Sequence, residues 1–327
     1  MRVLVVEKGE PGREASWAAG GMLADFPLEM PPPLRDLAAA SARMYPEFVR
    51  ELEEASGLTI DFRGYGTLFL AGEEHRSLTA SYPLPRPLHE LEPALRAPAH
   101  APHCLYLKER CVDPRHLTAA AVAAAKHRGI DFCCGDPVLT IEIAAGKVAG
   151  VRTEKASFAT GLVVNCAGAW AGQIAPDAFP TRPVKGQMLC VVLPEKDLVR
   201  HVVRTPDVYL IPRSDGRLVI GATLEEAGFD KQTVPETIQK LRQAALDIVP
   251  RLAEARTLEP WAGLRPGTPD KLPILGATGT PGYFVATGHF RDGILLAPVT
   301  ARVMGQVIAR ERLEFDLKAF EAKRFPS

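Results

Sequence analysis

The sequence predicts an α/β protein in which a doubly wound domain is interleaved with an α+β domain built on a mixed antiparallel sheet. Three patterns favour this fold. A helical pattern that opens at Asp113-Pro114 and stops at Gly129 is followed by an apolar strand, as in a βαβ unit. Two apolar runs around Ser214-Asp215-Gly216 predict an antiparallel hairpin. Residues 283–309 predict a strand, a glycine-bracketed turn and a helix.

The elements are predicted in chain order from apolar periodicity and from turn residues. Short apolar runs indicate strands at residues 3–6, 66–71, 104–107, 130–134, 162–166, 209–213, 217–221 and 283–286. Helical periodicity indicates helices at residues 34–55, 88–95, 114–128, 235–249 and 299–309. We expect the doubly wound domain to comprise residues 1–58, 109–178 and 262–327, and the mixed-sheet domain to comprise residues 59–108 and 179–261.

Composition and charge exclude several classes of function. The chain has 327 residues, of which 46% are hydrophobic and 24% charged, as in an ordinary globular protein. Its formal net charge of +0 gives no bulk attraction to nucleic acid or to anionic membranes. No signal peptide is visible, and the longest alanine-rich run, residues 117–125, is too short to cross a bilayer. We therefore expect a cytoplasmic protein that binds neither nucleic acid nor membrane.

The cysteines do not suggest a disulfide framework or a zinc site. They show no CxxC spacing, and we interpret all 6 as reduced thiols of a cytoplasmic protein. His100, His103 and Cys104 lie close in sequence, but the prolines around them indicate an exposed loop. We therefore expect no bound metal.

The most informative stretch is the turn at residues 288–293, Gly-His-Phe-Arg-Asp-Gly, between a predicted strand and a predicted helix. Such a turn directs backbone N–H groups and the positive end of a helix dipole at whatever lies above it. It is therefore suited to an electron-rich ligand atom. Glu7, at the end of the first strand, is a second candidate because an acidic residue there can bind ribose hydroxyls. The alternative for Glu7 is a solvated loop carboxylate, and the glycine-rich stretch 19–21 after it favours the binding role.

Three side chains are candidates for binding a carboxylate. Arg265 stands between Gly263 and Gly267, and its planar guanidinium can hold a carboxylate through two parallel hydrogen bonds. The alternative for Arg265 is a structural salt bridge, and Arg291 inside the turn is a similar case. Tyr209 begins a strand from which its hydroxyl could support the same carboxylate, although an isolated tyrosine more often serves packing.

A series of motifs extends along nearly the whole chain. They are EKG at 7–9, WAAGGML at 17–23, ELEPAL at 90–95, VNCAGAW at 164–170, PVKGQ at 183–187, WAGLRPGT at 261–268 and TGHFRDGILLAP at 287–298. Together they resemble the D-amino-acid oxidase family of flavoenzymes, and within it the glycine oxidase branch of thiamine biosynthesis. The last two motifs are highly specific.

The resemblance implies a noncovalently bound FAD and a set of residues that hold it. The implied cofactor residues are Glu7 and Lys8 at the adenosine ribose, Val138 at the adenine, Ala15, Ser16, Gly20, Gly21 and Met22 along the pyrophosphate and isoalloxazine, and His289, Phe290, Arg291, Asp292, Gly293, Ile294 and Leu295 around the flavin ring. It also implies that Arg265 holds the substrate carboxylate, with Tyr209 and Arg291 assisting.

The implied reaction is the oxidative deamination of glycine or another small amino acid. A hydride would pass from the substrate to the flavin, and O2 would reoxidise the flavin to give H2O2, an imine or oxo acid, and ammonia. The expected partners are thus a small amino acid and O2. Members of the family often form tetramers, so a homo-oligomer is compatible with the resemblance.

One departure from the family concerns the first βα unit. No GxGxxG turn occurs in the chain, and the sequence begins where the second strand of the family is expected. Loss of a central first strand would expose the edges of two apolar strands. We expect either a start assigned too far downstream, which we favour, or a truly short chain that binds FAD poorly. Two other functions stay open: a quinone-linked flavin dehydrogenase, and a truncated non-catalytic remnant that does not hold FAD.

Overall fold

The computed structural model describes residues 2–325, so the domain limits predicted at positions 1 and 327 lie outside the described residues. The strands are β1 Leu4–Glu7, β2 Met22–Leu23, β3 Phe62–Arg63, β4 Thr67–Ala71, β5 His103–Leu107, β6 Arg110–Val112, β7 Asp131–Cys134, β8 Val138–Ala144, β9 Lys147–Thr153, β10 Ser157–Ala159, β11 Val163–Asn165, β12 Arg182–Val192, β13 Val202–Arg204, β14 Tyr209–Pro212, β15 Arg217–Gly221, β16 Arg256–Gly267, β17 Ile274–Ala277 and β18 Tyr283–Thr287. The α-helices are α1 Ala15–Ala18, α2 Arg35–Ser56, α3 Leu88–Leu91, α4 Pro114–His127, α5 Pro235–Ile248 and α6 Gly293–Ala309.

The strands form one large mixed sheet and several smaller sheets. The large sheet has the order β16-β12-β15-β14-β13-β4-β5, and its neighbours are antiparallel except for the parallel pair β13–β4. Parallel pairing also joins β1 to β7 and β11 to β18. The predicted fold class, an α/β protein with parallel βα units and a mixed antiparallel sheet, is confirmed.

The large sheet has one face covered by a helix and one face left for ligand binding. On the covered face, Leu241 and Ala245 of α5 share a buried cluster with Leu189 and Ile220 of the sheet. Because successive side chains of a strand point to opposite faces, Tyr209 in β14 and the residues in register with it lie on the other face. The parallel strands are covered instead by α2 and α6, whose apolar faces share a second buried cluster.

Several predicted helix ends are confirmed, and one helix is shorter than predicted. The Asp113 side chain caps α4 by accepting a hydrogen bond of 2.9 Å from the Arg115 N–H. Gly57 ends α2 in the left-handed conformation, with φ 72°. The predicted helix at 88–95 ends at Leu91, because Glu92 precedes a proline and takes an extended conformation, with φ −139°.

Helix α6 begins at Gly293 rather than at the predicted position 299, because its proline is accommodated. Pro298 cannot donate to the Ile294 carbonyl, which would normally break a helix. The Tyr45 hydroxyl of α2 donates to that carbonyl instead, and the Ser41 hydroxyl donates to the Leu295 carbonyl at 2.6 Å. The turn and the helix are therefore continuous, with the helix N-terminus directly at the turn.

The sequence did not predict β2, β3, β6, β8–β10, β12, β13, β16 or β17. Strand β16 contains Pro260 and Pro266, which are unfavourable inside a sheet, but this strand is the edge of its sheet, where a proline costs no ladder hydrogen bond. In β8 and β9, charged residues such as Glu142 and Arg152 obscure the apolar alternation. Among the helices that the structure describes, none is both long enough and apolar enough to span a membrane.

Candidate functional site

Tyr209 and Arg265 reach toward each other across the open face of the large sheet. They come from β14 and β16, and glycines occupy the positions on the two strands between them. A Cβ atom at Gly221 would lie 2.9 Å from the Tyr209 hydroxyl oxygen, and one at Gly186 would lie 2.2 Å from Nη1 of Arg265. Both long side chains therefore lie flat on the sheet because the strands beneath them carry no side chain at these positions.

The guanidinium of Arg265 is held by backbone carbonyls rather than by a carboxylate. Its Nη1 donates to the carbonyl of Thr223 at 3.1 Å and to that of Lys185 at 3.3 Å. Among residues 2–325, no carboxylate forms a salt bridge with Arg265, so the structural salt bridge considered as an alternative role is absent there. The charge of Arg265 is thus fixed in position and lacks a protein counter-ion, which suits an anionic ligand.

Arg291 completes a group of three with Tyr209 and Arg265. Burial raises the pKa of Tyr209, and the charges of Arg265 and Arg291 both oppose that shift. The turn that carries Arg291 is tied to β16 because the Phe290 N–H donates to the Pro266 carbonyl at 2.9 Å. The structure therefore brings the three predicted carboxylate-binding residues together. We call Tyr209, Arg265 and Arg291 the carboxylate clamp.

The turn at 288–293 presents backbone N–H groups rather than a charged base. Gly288 and Phe290 adopt positive φ values of 75° and 50°, which bend the chain from β18 into α6. Burial lowers the pKa of His289 to about 4, and its Nε2 lies 3.0 Å from Oγ1 of Thr300, so the ring is neutral near pH 7. The first N–H groups of a helix have no partner within the helix, so those of α6 are available to a ligand.

Asp292 is the one acidic residue of the turn, and its pKa is strongly shifted. Burial raises its pKa to about 6, while the adjacent Arg291 opposes the shift and Glu29 adds to it. A carboxylate beside the positive end of α6 would normally be stabilised in its charged form. At Asp292, burial is the largest cause of the raised pKa and exceeds the opposing effect of Arg291.

The carboxyl ends of three parallel strands meet at one edge. Nζ of Lys8, just after β1, lies 3.2 Å from the centroid of the Trp170 ring, which follows β11. Oγ1 of Thr287, at the end of β18, donates to the Gly168 carbonyl at 2.9 Å. Ligands of doubly wound folds bind at the carboxyl ends of the strands, so this edge is the expected place for a nucleotide.

Glu7 and Val138 lie near each other at this edge. The Asp136 N–H donates to the Glu7 carbonyl at 3.2 Å, and Val138 follows two residues later at the start of β8. The Glu7 carboxylate accepts a hydrogen bond of 2.9 Å from the Gly9 N–H through Oε1. Because Glu7 is only half-buried, its second oxygen is free to accept from a hydroxyl. This arrangement matches the predicted site for a ribose and an adenine.

The glycine-rich segment 15–22 runs between the nucleotide edge and the carboxylate clamp. A Cβ atom at Gly263 would lie 2.4 Å from that of Ala18, so α1 packs directly on β16. The Gly20 carbonyl accepts a hydrogen bond of 2.6 Å from Nη2 of Arg213. Gly21 has φ 82°, and a Cβ atom there would lie 2.0 Å from the Val112 carbonyl oxygen. The backbone of this segment is therefore tightly fixed, and Ala15 and Ser16 stand at its more exposed end.

These groups fit a flavin dinucleotide. An acidic acceptor for ribose hydroxyls, a helix N-terminus with free N–H groups, and a rigid small-residue segment between them are among the donors and acceptors that bind FAD, whereas the GxGxxG turn that commonly holds the pyrophosphate does not occur in the sequence. Ile294 and Leu295 can contribute only through their backbone, because both side chains are buried in the helix core. Met22 is half-buried beside the clamp, in the group of side chains that packs with Tyr209.

Sequence reasoning missed the residues that support the clamp. Gly186 lies inside the PVKGQ motif, and Gly221 ends a predicted strand, but only the sheet register shows what crosses them. Lys185 is almost fully buried, and its Nζ pairs with Asp230 at 2.6 Å. A buried lysine has no signature in a single sequence beyond its apolar neighbours.

Known proteins resemble this chain in sequence and in fold. The family model DAO, described as FAD dependent oxidoreductase, matches residues 1–307. The hydrogen cyanide synthase subunit HcnC of Pseudomonas aeruginosa is 35% identical over 335 residues, covering 96% of this chain and 79% of that protein. The glycine oxidase of the same species is 32% identical over 324 residues, covering 94% and 88% respectively. The crystal structure of glycine oxidase from Geobacillus kaustophilus matches with a TM-score of 0.92 at 31% identity, covering 100% of this chain and 93% of that one.

Proposed function

Because the chain belongs to the DAO family of FAD-dependent oxidoreductases, we propose that it oxidatively deaminates glycine or another small amino acid. In the proposed reaction O2 is the final acceptor, and the products are H2O2 and an imine that hydrolyses to an oxo acid and ammonia. The observation that carries the proposal is the carboxylate clamp, which gathers two guanidinium groups and a phenol beside the turn at 288–293. FAD, when bound, supplies the acceptor for the hydride that leaves the substrate Cα.

The protein's own contribution is orientation. Arg265 is fixed by two carbonyls through Nη1, so its remaining N–H groups can hold a carboxylate in one geometry. Tyr209 and Arg291 add a neutral and a charged donor to the same anion. Correct placement of a reacting carbon can contribute about 7–11 kcal/mol to lowering a barrier. The neutral His289 and the N–H groups of α6 favour negative charge near the turn without taking up a proton.

The proposal is tested by assaying H2O2 with glycine, sarcosine and D-alanine, using the full-length protein loaded with FAD. We expect peroxide, an oxo acid and the released amine in equal amounts with at least one of these substrates, the amine being ammonia from glycine or D-alanine and methylamine from sarcosine. Absence of turnover with all of them and with the wider panel of amino acids described below would refute the proposal. Slow reoxidation of the substrate-reduced protein by air, with fast reoxidation by a quinone, would favour the dehydrogenase alternative instead.

A substitution of Arg265 tests the role of the clamp. We expect Arg265→Ala to raise KM by roughly 100-fold or more, because a charge-assisted, bidentate pair with the substrate carboxylate is lost. The absorbance of the bound flavin should stay unchanged. Arg182→Ala is the matched control, since Arg182 lies on the adjacent strand but pairs with Glu226 at the surface. Loss of the flavin from Arg265→Ala would show that Arg265 is structural.

A second candidate function follows from the similarity to a hydrogen cyanide synthase subunit. That relative is 35% identical over nearly the whole chain, about as similar as the glycine oxidases. We therefore propose, as the alternative product chemistry, that glycine is oxidised twice, first to the imine and then with loss of CO2 to HCN, while two O2 are reduced to two H2O2. Cyanide measured in place of the oxo acid would support this candidate, and an oxo acid without cyanide would exclude it for the isolated protein.

The cellular setting is also a proposal. All 6 cysteines are free, and thiols of this kind persist in a reducing compartment, which supports a cytoplasmic enzyme. A homo-oligomer is proposed only from the resemblance to the family. Light scattering on the purified protein measures the oligomeric state directly, and a monomer at micromolar concentration would contradict it.

A further inference from the structure

A second group of charged residues continues the open face of the large sheet beyond the carboxylate clamp. Arg204 in β13 is the direct cross-strand partner of Tyr209, so both side chains lie on the same face. Arg204 is buried, and its Nη1 lies 2.8 Å from Oε2 of Glu29, while its Nη2 lies 3.4 Å from Oε1 of Glu109. We call Arg204, Glu29 and Glu109 the distal cluster.

The distal cluster and the carboxylate clamp are linked through the turn at 288–293. Glu29 lies close enough to Asp292 to help raise its pKa, and Asp292 is the neighbour of Arg291 in the clamp. Arg291 in turn faces Tyr209, which lies opposite Arg204 in the sheet. The turn at 288–293 therefore neighbours both groups. Because Arg204 and Tyr209 are a cross-strand pair on one face, the distal cluster begins one strand beyond the clamp on the face where the ligand is proposed to bind.

The distal cluster contains buried polar atoms without partners. Oε2 of Glu109 and Nε of Arg204 make no close hydrogen bond to any residue that the structure describes, and the Thr67 side chain lies near enough to Glu109 to oppose the rise of its pKa. The two residues are only 5% and 9% exposed. A buried polar atom that is left unpaired is destabilising, and such atoms in native proteins usually bind a ligand, a water or an ion.

The cluster also carries more negative than positive charge. Arg204 is shared between two carboxylates, and Asp25 lies close enough to add to the raised pKa of Glu109, whose largest cause is burial. Glu29 in turn lies close enough to Asp292 to help raise the pKa of Asp292. Arg110 and Arg43 oppose the raised pKa of Asp25, but neither forms a salt bridge with Glu29 or Glu109 among the described residues. Asp25 has Arg110 and Arg43 near it, and Asp292 has Arg291, so the imbalance lies within the distal cluster itself, where two carboxylates share one guanidinium.

We propose that the distal cluster binds a second amino group on the side chain of the substrate, so that the enzyme prefers small diamino acids. This inference rests on the proposed function, because it assigns the two ends of one amino acid to the clamp and to the cluster. An ammonium group would donate to Oε2 of Glu109 and to Glu29 and would supply the missing charge. An apolar side chain would leave those atoms unpaired, and an acidic one would meet like charge, so both are disfavoured.

The test compares matched substrates on the full-length protein loaded with FAD. Both enantiomers of ornithine, norleucine and glutamate are assayed by flavin reduction under anaerobic conditions, with glycine and 2,4-diaminobutyrate beside them. We expect the second-order rate constant of flavin reduction for ornithine to exceed that for norleucine by roughly tenfold or more, with glutamate the poorest of the three. The substrate-dependent step is then measured without relying on O2.

Variants locate the preference. Glu29→Gln and Glu109→Gln keep the size of each side chain but remove its charge, and each should lower the ornithine-to-norleucine ratio by roughly fivefold to tenfold. Glu51→Gln, on the exposed side of α2, is the matched control and should leave the ratio unchanged. Because the readout is a ratio, a general loss of stability or of flavin affects both substrates alike and cancels.

The outcomes separate this inference from the proposed function. Turnover of glycine or norleucine with an ornithine-to-norleucine ratio of one or below overturns the diamino acid preference and leaves the proposed function standing. An unaltered ratio in both glutamine variants also overturns it. Reduction of the flavin by none of the amino acids overturns both proposals together.

Discussion

The absence of a side chain at Gly186 leaves the space that the guanidinium of Arg265 occupies. The guanidinium crosses directly over this glycine, and a Cβ atom there would lie 2.2–2.6 Å from three of its atoms. Those atoms form the far end of a flexible side chain, so they can move away at little cost in stability. A methyl group at this position is therefore a way to displace the clamp without unfolding the sheet.

We predict that Gly186→Ala raises the KM for the amino acid by roughly tenfold while changing the free energy of unfolding by less than about 1 kcal/mol. The reason is that Arg265 loses its fixed position, whereas strand β12 keeps its pairing. Steady-state kinetics and urea unfolding measure the two effects. Gly161→Ala is the control, because a Cβ atom there has no heavy atom within 4 Å. Equal kinetics for the two variants would contradict this role for Gly186.

Asp292 should make the stability of the FAD-free protein depend on pH. Its pKa rises from 3.8 in the unfolded chain to about 6 in the folded one, so between these values the folded state binds more protons. Stability is then lost as the pH rises from about 4 to about 6, and the loss is complete above pH 6. Since one pKa unit corresponds to about 1.4 kcal/mol, the penalty at pH 7.5 is about 1–3 kcal/mol.

We therefore predict that Asp292→Asn stabilises the FAD-free protein by about 1–3 kcal/mol at pH 7.5 and has little effect at pH 4. Urea unfolding at both pH values measures the difference. Asp197→Asn, at an exposed position, controls for the general effect of removing one negative charge. A stabilisation that is equal at the two pH values, or that appears in both variants, would show that the carboxyl of Asp292 titrates normally.

At the scale of the elements, the packing of α2 on α6 keeps the turn at 288–293 in place. Pro298 leaves the Ile294 carbonyl without its helical donor, and the buried Tyr45 hydroxyl donates to it from α2. Ser41, one helical turn earlier, donates to the Leu295 carbonyl and accepts from the Val299 N–H at 3.3 Å. The first turn of α6, which offers its N–H groups to a ligand, therefore depends on side chains of a helix distant in sequence.

We predict that Tyr45→Phe lowers the free energy of unfolding by about 1–3 kcal/mol, because the Ile294 carbonyl is then buried without a donor. Tyr82→Phe is the control: this tyrosine is half-buried, and its hydroxyl makes no hydrogen bond to a described residue, so its loss should cost less than about 0.5 kcal/mol. Thermal and urea unfolding measure both variants. A loss for Tyr45→Phe no greater than for Tyr82→Phe would mean that the helix tolerates Pro298 without help.

Local patterns predicted the elements that carry their own signals. The hairpin at 209–221 follows from two apolar runs around a turn sequence, and α4 follows from its cap and its alanine-rich body. Strand β16 could not be predicted in this way, because its prolines are compatible with a strand only at a sheet edge. Whether a strand lies at the edge depends on the order of all strands in the sheet, and a short segment of sequence does not contain that information.

At the scale of the whole molecule, some residues of the candidate site could likewise be predicted from the sequence and others could not. The clamp residues could be named from motifs, because each stands in a distinctive sequence context. Arg204, Glu29 and Glu109 could not, since they lie far apart in the chain and only the strand register and the approach of the 24–31 loop bring them together. Their significance depends on charge balance and burial, and both are set by tertiary contacts.

The site as a whole extends from Glu7 and Val138 at one end to the carboxylate clamp at the other, so the two halves of the dinucleotide should be held by different parts of the fold. FAD contains both halves, whereas FMN lacks the adenosine half. We predict that FAD raises the melting temperature of the protein more than FMN does at equal concentration. A ligand present at 100 times its Kd stabilises by about 2.7 kcal/mol.

Glu7→Gln tests whether Glu7 binds the adenosine half of FAD. The amide oxygen can still accept from the Gly9 N–H, so the loop keeps its shape, but a charged acceptor for ribose hydroxyls is lost. Hydrogen bonds to charged groups contribute about 1.5–3 kcal/mol, so the Kd for FAD should rise roughly 10- to 100-fold. The smaller stabilisation by FMN should stay as in the parent protein. If Glu7→Gln weakened the binding of FMN as much as that of FAD, the carboxylate would stabilise the local structure after β1 rather than bind the ribose. The assignment of the adenosine end of FAD to β1 would then be wrong.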